Sequence, residues 1–478
     1  MFNKIVYSNR REVLKKKMLE SSTDGLVIFV GNSEAPINYR GNDYKYRQDS
    51  NFLYYWGIDE PGFAATLDLN TGEEVLYADD FDIEDIIWMG PQPSVQSKAD
   101  SIGVKSSAPR NSFDETVINA KNQGRAIHFL PTSRYYNTYE VVKLTGLSPE
   151  QVRQVAPVGC CLAKSASEEL VQSVIDMRLI TEDVEIAEID KACDMGYLMH
   201  SMARKGCKLG VKEQEIVGKM ESVALSYGWG TSFATILSQN GETLHNHSHH
   251  QIITSGRLMV VDAGVESNSH YVSDFTRTYP CSGKFTQQQK EIYELVLSCN
   301  DLAASLCKPG ITYFDVQWKV LINMLEGLKS LDLVTGNVDE MVAAGISGLF
   351  MPHGLGHNMG MDVHDMEDLG ELRVGYDKGQ NRHPLMGLGN LRMARMLCPG
   401  NVITNEPGIY FIPELIKKWK LNGTDKGMVN YSKLEKYFDF GGIRLEDDVL
   451  ITPTSSRLLG NKRLPIYVNE IESLMASE

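Results

Sequence analysis

The stretch Met351-Pro-His-Gly-Leu-Gly-His-Asn-Met-Gly-Met-Asp-Val-His-Asp365 gathers three histidines and three glycines into fifteen residues. His353 and His357 are four apart, which on a helix would put both imidazoles on one face, as in His-Glu-x-x-His zinc sites. The glycines at 354, 356 and 360 argue against that helix, because each costs roughly 1 kcal/mol relative to Ala in a helix interior. An extended strand or a loop fits better. His364 lies seven beyond His357, an odd spacing that a continuous strand would project to the opposite face, so a bend is needed if both serve one pocket. Packing or surface positions would account for one histidine more readily than for three in this glycine pattern.

On either side of this turn, acidic residues sit inside β-forming runs. Arg257-Leu-Met-Val-Val-Asp-Ala-Gly264 reads as an apolar strand ending in Asp262, and Tyr271-Val-Ser-Asp-Phe-Thr-Arg-Thr278 as a neighbouring strand holding Asp274. Val402-Ile-Thr-Asn-Glu-Pro-Gly-Ile-Tyr410 sets Glu406 between β-formers and a Pro-Gly turn, and Gly441-Gly-Ile-Arg-Leu-Glu-Asp-Asp-Val-Leu-Ile-Thr452 puts Arg444 and Glu446 on one strand face. A carboxylate in an apolar strand is costly unless it is paired or metal-bound. Four of them, with the histidine turn, point to a buried cluster.

The amino-terminal third alternates helix and strand signals, as an α/β domain does. Ser8 precedes an amphipathic run, Asn9 to Glu20, and strands are expected at Gly25–Gly31, Ala64–Leu69, Glu74–Tyr77 and Ala126–Leu130. The aromatic stretch Tyr44 to Gly57 reads as core or interface. Pro157-Val-Gly-Cys-Cys-Leu-Ala-Lys-Ser-Ala-Ser-Glu-Glu169 marks a boundary, after which long helical patterns begin: one opening at Ser167, then Glu182–Lys205 and Lys212–Tyr227. Thr286-Gln-Gln-Gln289 has capping-box spacing ahead of a helix that Pro309-Gly310 ends. No internal repeat or low-complexity segment is evident.

With 478 residues, the chain exceeds what one core usually fills, so two domains are expected. A formal net charge of −15 argues against nucleic-acid and anionic-membrane partners, which call for a basic face. The start, Met1 to Arg11, holds no apolar signal-peptide core, and no later apolar run reaches membrane-span length. Eight cysteines (160, 161, 193, 207, 281, 299, 307, 398) lack any Cys-x-x-Cys spacing. A cytoplasmic protein with reduced thiols is the expectation.

Taken together, Val-Asp-Ala-Gly, Ser-Asp-Phe-Thr-Arg-Thr, His-Gly-Leu-Gly-His, Asn-Glu-Pro-Gly-Ile-Tyr and Gly-Ile-Arg-Leu-Glu-Asp-Asp resemble the methionine aminopeptidase and proline peptidase (creatinase-like, pita-bread) superfamily, peptidase family M24. Tyr46-Arg-Gln-Asp-Ser-Asn-Phe-Leu-Tyr-Tyr-Trp-Gly57 is similar to the amino-terminal domain of its proline-specific members. The resemblance implies a mixed α/β (α+β) protein: an aminopeptidase P-like domain over 1–160 and a pita-bread catalytic domain over 165–478. It also implies that Asp262, Asp274, His357, Glu406 and Glu446 bind two divalent metals, with Asp274 and Glu446 bridging. Four carboxylates balance two dications, leaving a metal-bound hydroxide to attack. The ligand set, hard and free of thiolate, favours manganese, with cobalt, iron or zinc able to substitute. Thr276, two beyond Asp274, is placed to orient that ligand.

By the same resemblance, His245, His353 and His364 handle the substrate and its protons, Glu406 shuttles a proton to the leaving nitrogen, and Arg444 contacts substrate and anchors neighbouring carboxylates. His247, His249 and His250 read as a polar surface turn. The family often has Tyr where this chain has Asn246, and the loop between the two Asp ligands has one extra residue. Asn390-Leu-Arg-Met-Ala-Arg395 resembles the prolidase segment whose first arginine grips the substrate carboxylate, here Arg392. The long excursion from Phe411 to Phe440 is likewise prolidase-like. These imply hydrolysis of Xaa-Pro dipeptides by a homodimer in which the amino-terminal domain helps wall a partner's site. The alternatives are an aminopeptidase P acting on longer peptides, an amidinohydrolase on the same fold, and a non-catalytic binding module, which would usually have lost metal ligands.

Overall fold

A computed structural model describes residues 2–21, 23–153 and 166–477. Most of the expected boundary segment, with Cys160 and Cys161, lies outside the described residues. The chain divides into two compact units: Met1–Arg178 with Met366–Arg373, and Leu179–Asp365 with Val374–Glu478.

The first unit is built on a five-stranded sheet. Its strands are β1 (Leu26–Val30), β2 (Ala64–Asp68), β3 (Glu74–Tyr77), β4 (Ser106–Ala108) and β5 (Ile127–His128), in the order β4-β3-β2-β1-β5. β1 pairs antiparallel with β2 and parallel with β5. The first helix starts at Lys4, not after Ser8. Asn3 supplies the cap by accepting from the Ile5 amide, and the Ser8 hydroxyl donates to the Ile5 carbonyl within the helix. The aromatic stretch forms the helix Ser50–Trp56, in which Phe52, Tyr54, Tyr55 and Trp56 are buried as core. Two buried arginines brace it. Arg10 donates to the Tyr54 carbonyl and lies 3.8 Å over the Tyr54 ring, while Arg11 donates to the Tyr55 carbonyl and pairs with Glu74.

The second unit repeats one layout, a pair of helices followed by strands. The helices Asp183–Gly206 and Glu213–Tyr227 precede β6 (Gly230–Thr231), β7 (Ile236–Ser238), β8 (Leu258–Ala263), β9 (Val265–Glu266) and β10 (Phe275–Pro280). The helices Gln287–Leu306 and Tyr313–Ser330 precede β11 (Val402–Asn405), β12 (Gly408–Tyr410), β13 (Gly442–Arg444), β14 (Asp447–Ile451) and β15 (Ser456–Leu458). Sheet orders are β10-β8-β7 and β11-β14-β15, with β12 paired to β13 and β6 to β9. The Thr286 capping box forms as expected, its side chain and that of Gln289 each accepting from the other's amide. Phe411–Phe440 carries the helix Pro413–Asn422 and a short turn of helix at Tyr431–Leu434.

Two strand expectations need correction. β10 starts at Phe275, because residues 271–274 give their backbone to other partners: the Ser273 amide donates to the Val265 carbonyl and the Asp274 amide to Asp448. Glu446 and Leu445 fall in a break between β13 and β14. Asp274, Glu406 and Glu446 therefore stand at strand ends, and Asp262 alone lies within a strand. No helix among the described residues is long and apolar enough to cross a membrane.

Candidate metal centre

Residues 351–365 form neither helix nor strand, only a β-bridge at Asn358. The glycines serve close approach. A Cβ on Gly356 would lie 2.1 Å from the Thr404 carbonyl oxygen of β11, and one on Gly354 would lie 2.4 Å from the Leu391 Cα. The bend required after His357 is present: the Asp365 amide donates to the Asn358 carbonyl, and the His357 and His364 rings stack with centroids 3.8 Å apart.

That loop brings His357 to the acids. Asp274, His357 and Glu446 each offer a ligand atom within 4.8 Å of the others, and all three are buried. His357 Nε2 is 3.4 Å from Asp274 Oδ2 and 3.8 Å from Glu406 Oε1. Its Nδ1 sits 3.2 Å from the Asn358 carbonyl, which can only accept, so Nδ1 carries a proton and Nε2 is the nitrogen turned toward the carboxylates, where a neutral imidazole could ligate a metal. Asp262 Oδ1 and Asp274 Oδ1 are buried without a hydrogen-bond partner. Burial, then the charge of neighbouring carboxylates, pushes the Asp274 and Glu446 carboxyls well above the ordinary range, and burial chiefly raises Glu406. The cluster lacks positive charge that divalent cations would supply, so its donor set fits metal.

A second layer fixes these side chains. Arg444, buried, bonds Asp262 Oδ2 at 2.5 Å, donates to Thr276 Oγ1 at 3.0 Å and donates to the Tyr410 hydroxyl at 2.9 Å. Thr276 does not orient Asp274 as expected. Its hydroxyl donates to Glu446 Oε2 at 2.6 Å, because the Glu446 amide is docked on the Thr276 carbonyl. The Tyr410 hydroxyl is 2.9 Å from His353 Nε2, and His353 Nδ1 is 2.8 Å from the Gly354 carbonyl. Since the carbonyl accepts, Nδ1 carries the proton and Nε2 accepts from Tyr410. The His353 ring pKa is pushed down to about 3, first by burial and then by the Arg444 charge, so the ring is neutral near pH 7.

Arg392 Nη1 donates to His364 Nδ1 at 3.1 Å, which leaves the His364 proton on Nε2. Its neighbour Arg395 instead donates to the Val374 carbonyl and lies near Asp377. His245 stands on the loop after β7 with an exposed side chain. Partial desolvation of its ring, then the Arg444 charge, lowers its pKa. His247 and His250 are exposed, His249 bonds the Leu237 carbonyl, and none of them joins a metal-competent group among the described residues.

The profile of metallopeptidase family M24 matches residues 187–453, and the aminopeptidase P amino-terminal domain matches residues 7–128. The chain belongs to the M24 metallopeptidase family. Human Xaa-Pro dipeptidase is 30% identical over 459 residues, covering 94% of this chain and 88% of that one. The Xaa-Pro aminopeptidase of Escherichia coli is 29% identical, covering 98% of this chain and 97% of that one. A solved structure of a variant of E. coli aminopeptidase P in complex with substrate superposes with a TM-score of 0.79 at 27% identity, covering 100% of this chain and 99% of that one. This M24 chain is thus an amino-terminal aminopeptidase P-type domain followed by a pita-bread domain that carries the cluster.

Two residues that hold this cluster in place are not picked out by the sequence analysis. Tyr410 lies within the quoted Asn-Glu-Pro-Gly-Ile-Tyr motif; a tyrosine in a buried strand needs a partner for its hydroxyl, and that signal was available. Asp448, third in Glu-Asp-Asp, accepts from the Asp274 amide at 2.9 Å and fixes the backbone of a candidate ligand. Its neighbour Asp447 pairs instead with Arg277 and Arg463, which hold the carboxyl below its usual range despite burial.

Proposed function

We propose that this chain is a metal-dependent hydrolase of Xaa-Pro dipeptides. Asp262, Asp274, His357, Glu406 and Glu446 would hold two divalent cations, with manganese favoured by the hard donors. Bound there, the cations supply Lewis acidity and a water whose pKa is depressed toward neutrality. Glu406, its carboxyl raised by burial, would hold a proton and deliver it to the proline nitrogen as the C–N bond breaks. His353, neutral and fixed by Tyr410, presents its ring beside Glu406, with Nδ1 at 3.6 Å from Oε2. His245 and His364 line the substrate's path, and Arg444 keeps Asp262 and Tyr410 in place.

The observation that carries the dipeptidase reading is the Arg392 guanidinium, 3.1 Å from His364 while His364 stacks on His357. A fixed cation one residue beyond the scissile bond suits the free carboxylate of Xaa-Pro, through paired hydrogen bonds that survive at any relevant pH. A second reading, aminopeptidase P activity on longer peptides, is favoured by the full-length likeness to the E. coli enzyme. Product analysis with purified protein and manganese separates them. Gly-Pro should be cleaved and Ala-Pro-Ala spared, and faster cleavage of Ala-Pro-Ala than of Ala-Pro would replace the dipeptidase reading with the other.

We further assign the two domains to 1–160 and 165–478 and the protein to the cytoplasm, where the six free cysteines among the described residues would stay reduced. A homodimer is supported by the helix Ile83–Met89, none of whose residues is buried in the single chain; Ile87 is 71% and Trp88 84% exposed. Light scattering at twice the monomer mass is the expected result.

A further inference from the structure

The first unit contains a cavity of about 390 Å³, formed by the segments 33–35 and 44–46 and the start of the helix Tyr135–Thr145. That volume lies within the range of small-molecule pockets. Tyr44, Tyr135 and Tyr136 give it aromatic walls. Arg134, half-buried in the lining, reaches only backbone carbonyls, Ser33 at 3.4 Å and Arg47 at 3.2 Å, and pairs with no carboxylate among the described residues. Glu34, also in the lining, pairs with no cation among the described residues. Asn137 is 4% exposed. Its Nδ2 donates to Asn32 Oδ1, and the Asn32 Nδ2 donates to the Arg47 carbonyl, a buried chain of hydrogen bonds that holds the start of the helix against the segment carrying Arg47.

We propose that this cavity binds a free amino acid zwitterion bearing a ring, of the class of proline. The carboxylate meets the Arg134 guanidinium, the protonated amine, a secondary ammonium in proline, is offered the Glu34 carboxylate, and the ring lies against the tyrosines. Arg134 and Glu34 thereby each gain a partner of opposite charge, and a flat aromatic wall suits a saturated ring with polarised C–H bonds. The choice of proline among zwitterions rests on the proposed function, since proline is one of the two products of that reaction; the pocket would then sense product.

Calorimetric titration of L-proline and of prolinamide into the full-length protein, wild type and Arg134→Gln, tests this without calling on turnover. Wild type should bind proline in a step that prolinamide lacks, and Arg134→Gln should weaken that step by about tenfold or more, the worth of a charge-assisted hydrogen bond. Tyr135→Ala should weaken it too, with melting temperature unchanged in both variants. Identical proline isotherms for wild type and Arg134→Gln overturn the proposal, as does a lack of proline binding by wild type through the millimolar range. Arg134-dependent binding in a protein that fails to cleave Gly-Pro keeps the pocket and removes the dipeptidase reading; cleavage with no such binding does the reverse.

Discussion

Arg392 and Tyr410 illustrate how single side chains carry separable duties. Removing the guanidinium in Arg392→Ala should lower kcat/KM for Gly-Pro roughly 10- to 150-fold, the equivalent of about 1.5–3 kcal/mol, and change tripeptide turnover far less. Steady-state kinetics on both substrates decides it, and full dipeptidase activity in the variant would remove Arg392 from the site. Tyr410→Phe deletes the hydroxyl that links Arg444 to His353 Nε2. It should reduce kcat by roughly tenfold or more while metal content stays at the wild-type level, because no proposed ligand is touched. Loss of metal on elemental analysis would show instead that Tyr410 supports the ligands through Arg444. At this scale the sequence is informative wherever a motif fixes a local constraint: with glycines at 354, 356 and 360, the segment 351–365 does stay out of helix. It misassigns Thr276 to Asp274, because the true partner is set by the docking of Glu446, 170 residues away.

Among the elements, the long helices were legible because their apolar period and caps are local; Glu182–Lys205 as read became Asp183–Gly206 as found. The strand carrying Asp274 is shorter than its pattern predicts, because Tyr271 and Val272 suit a strand, yet tertiary hydrogen bonds claim the backbone there. β4, three residues with no apolar core, left no pattern to detect. The packing of the helix Asp183–Gly206 on β8 has a consequence for pH. His200 is fully buried, its Nε2 donates to the Ala263 carbonyl, and burial pushes its pKa down to about 4. A group depressed below its unfolded value of about 6.5 takes its proton more readily in the unfolded chain, so its contribution is complete above pH 6.5 and is lost as pH falls toward 4. Denaturant melts of metal-free protein should show wild type losing roughly 3 kcal/mol more than His200→Gln across that window. Equal pH slopes for the two would mean that His200 is charged in the folded protein.

For the whole molecule, the opposite sign governs the acid cluster. Asp274 and Glu446 are raised by burial, so in metal-free protein their contribution is present at low pH and is lost as pH rises through the folded pKa. Manganese must displace those protons, so the gain in melting temperature on adding it to chelator-treated protein should be larger at pH 8 than at pH 6. At a hundredfold excess over Kd the gain corresponds to about 2.7 kcal/mol, or several degrees. A gain independent of pH would place the bound ion elsewhere. The excursion between Glu406 and Glu446 has a topological consequence of its own. Gly423, in a left-handed conformation after the helix Pro413–Asn422, is an exposed interruption of the chain between two partners that remain hydrogen-bonded, β12 with β13 and β11 with β14. Opening the backbone there would leave four of the proposed ligands on one fragment and Glu446 on the other. Fragments 1–423 and 424–478, expressed separately, should therefore complement each other, with activity appearing on mixing and rising with the supply of metal, as in a split reporter whose two halves are joined by an ion.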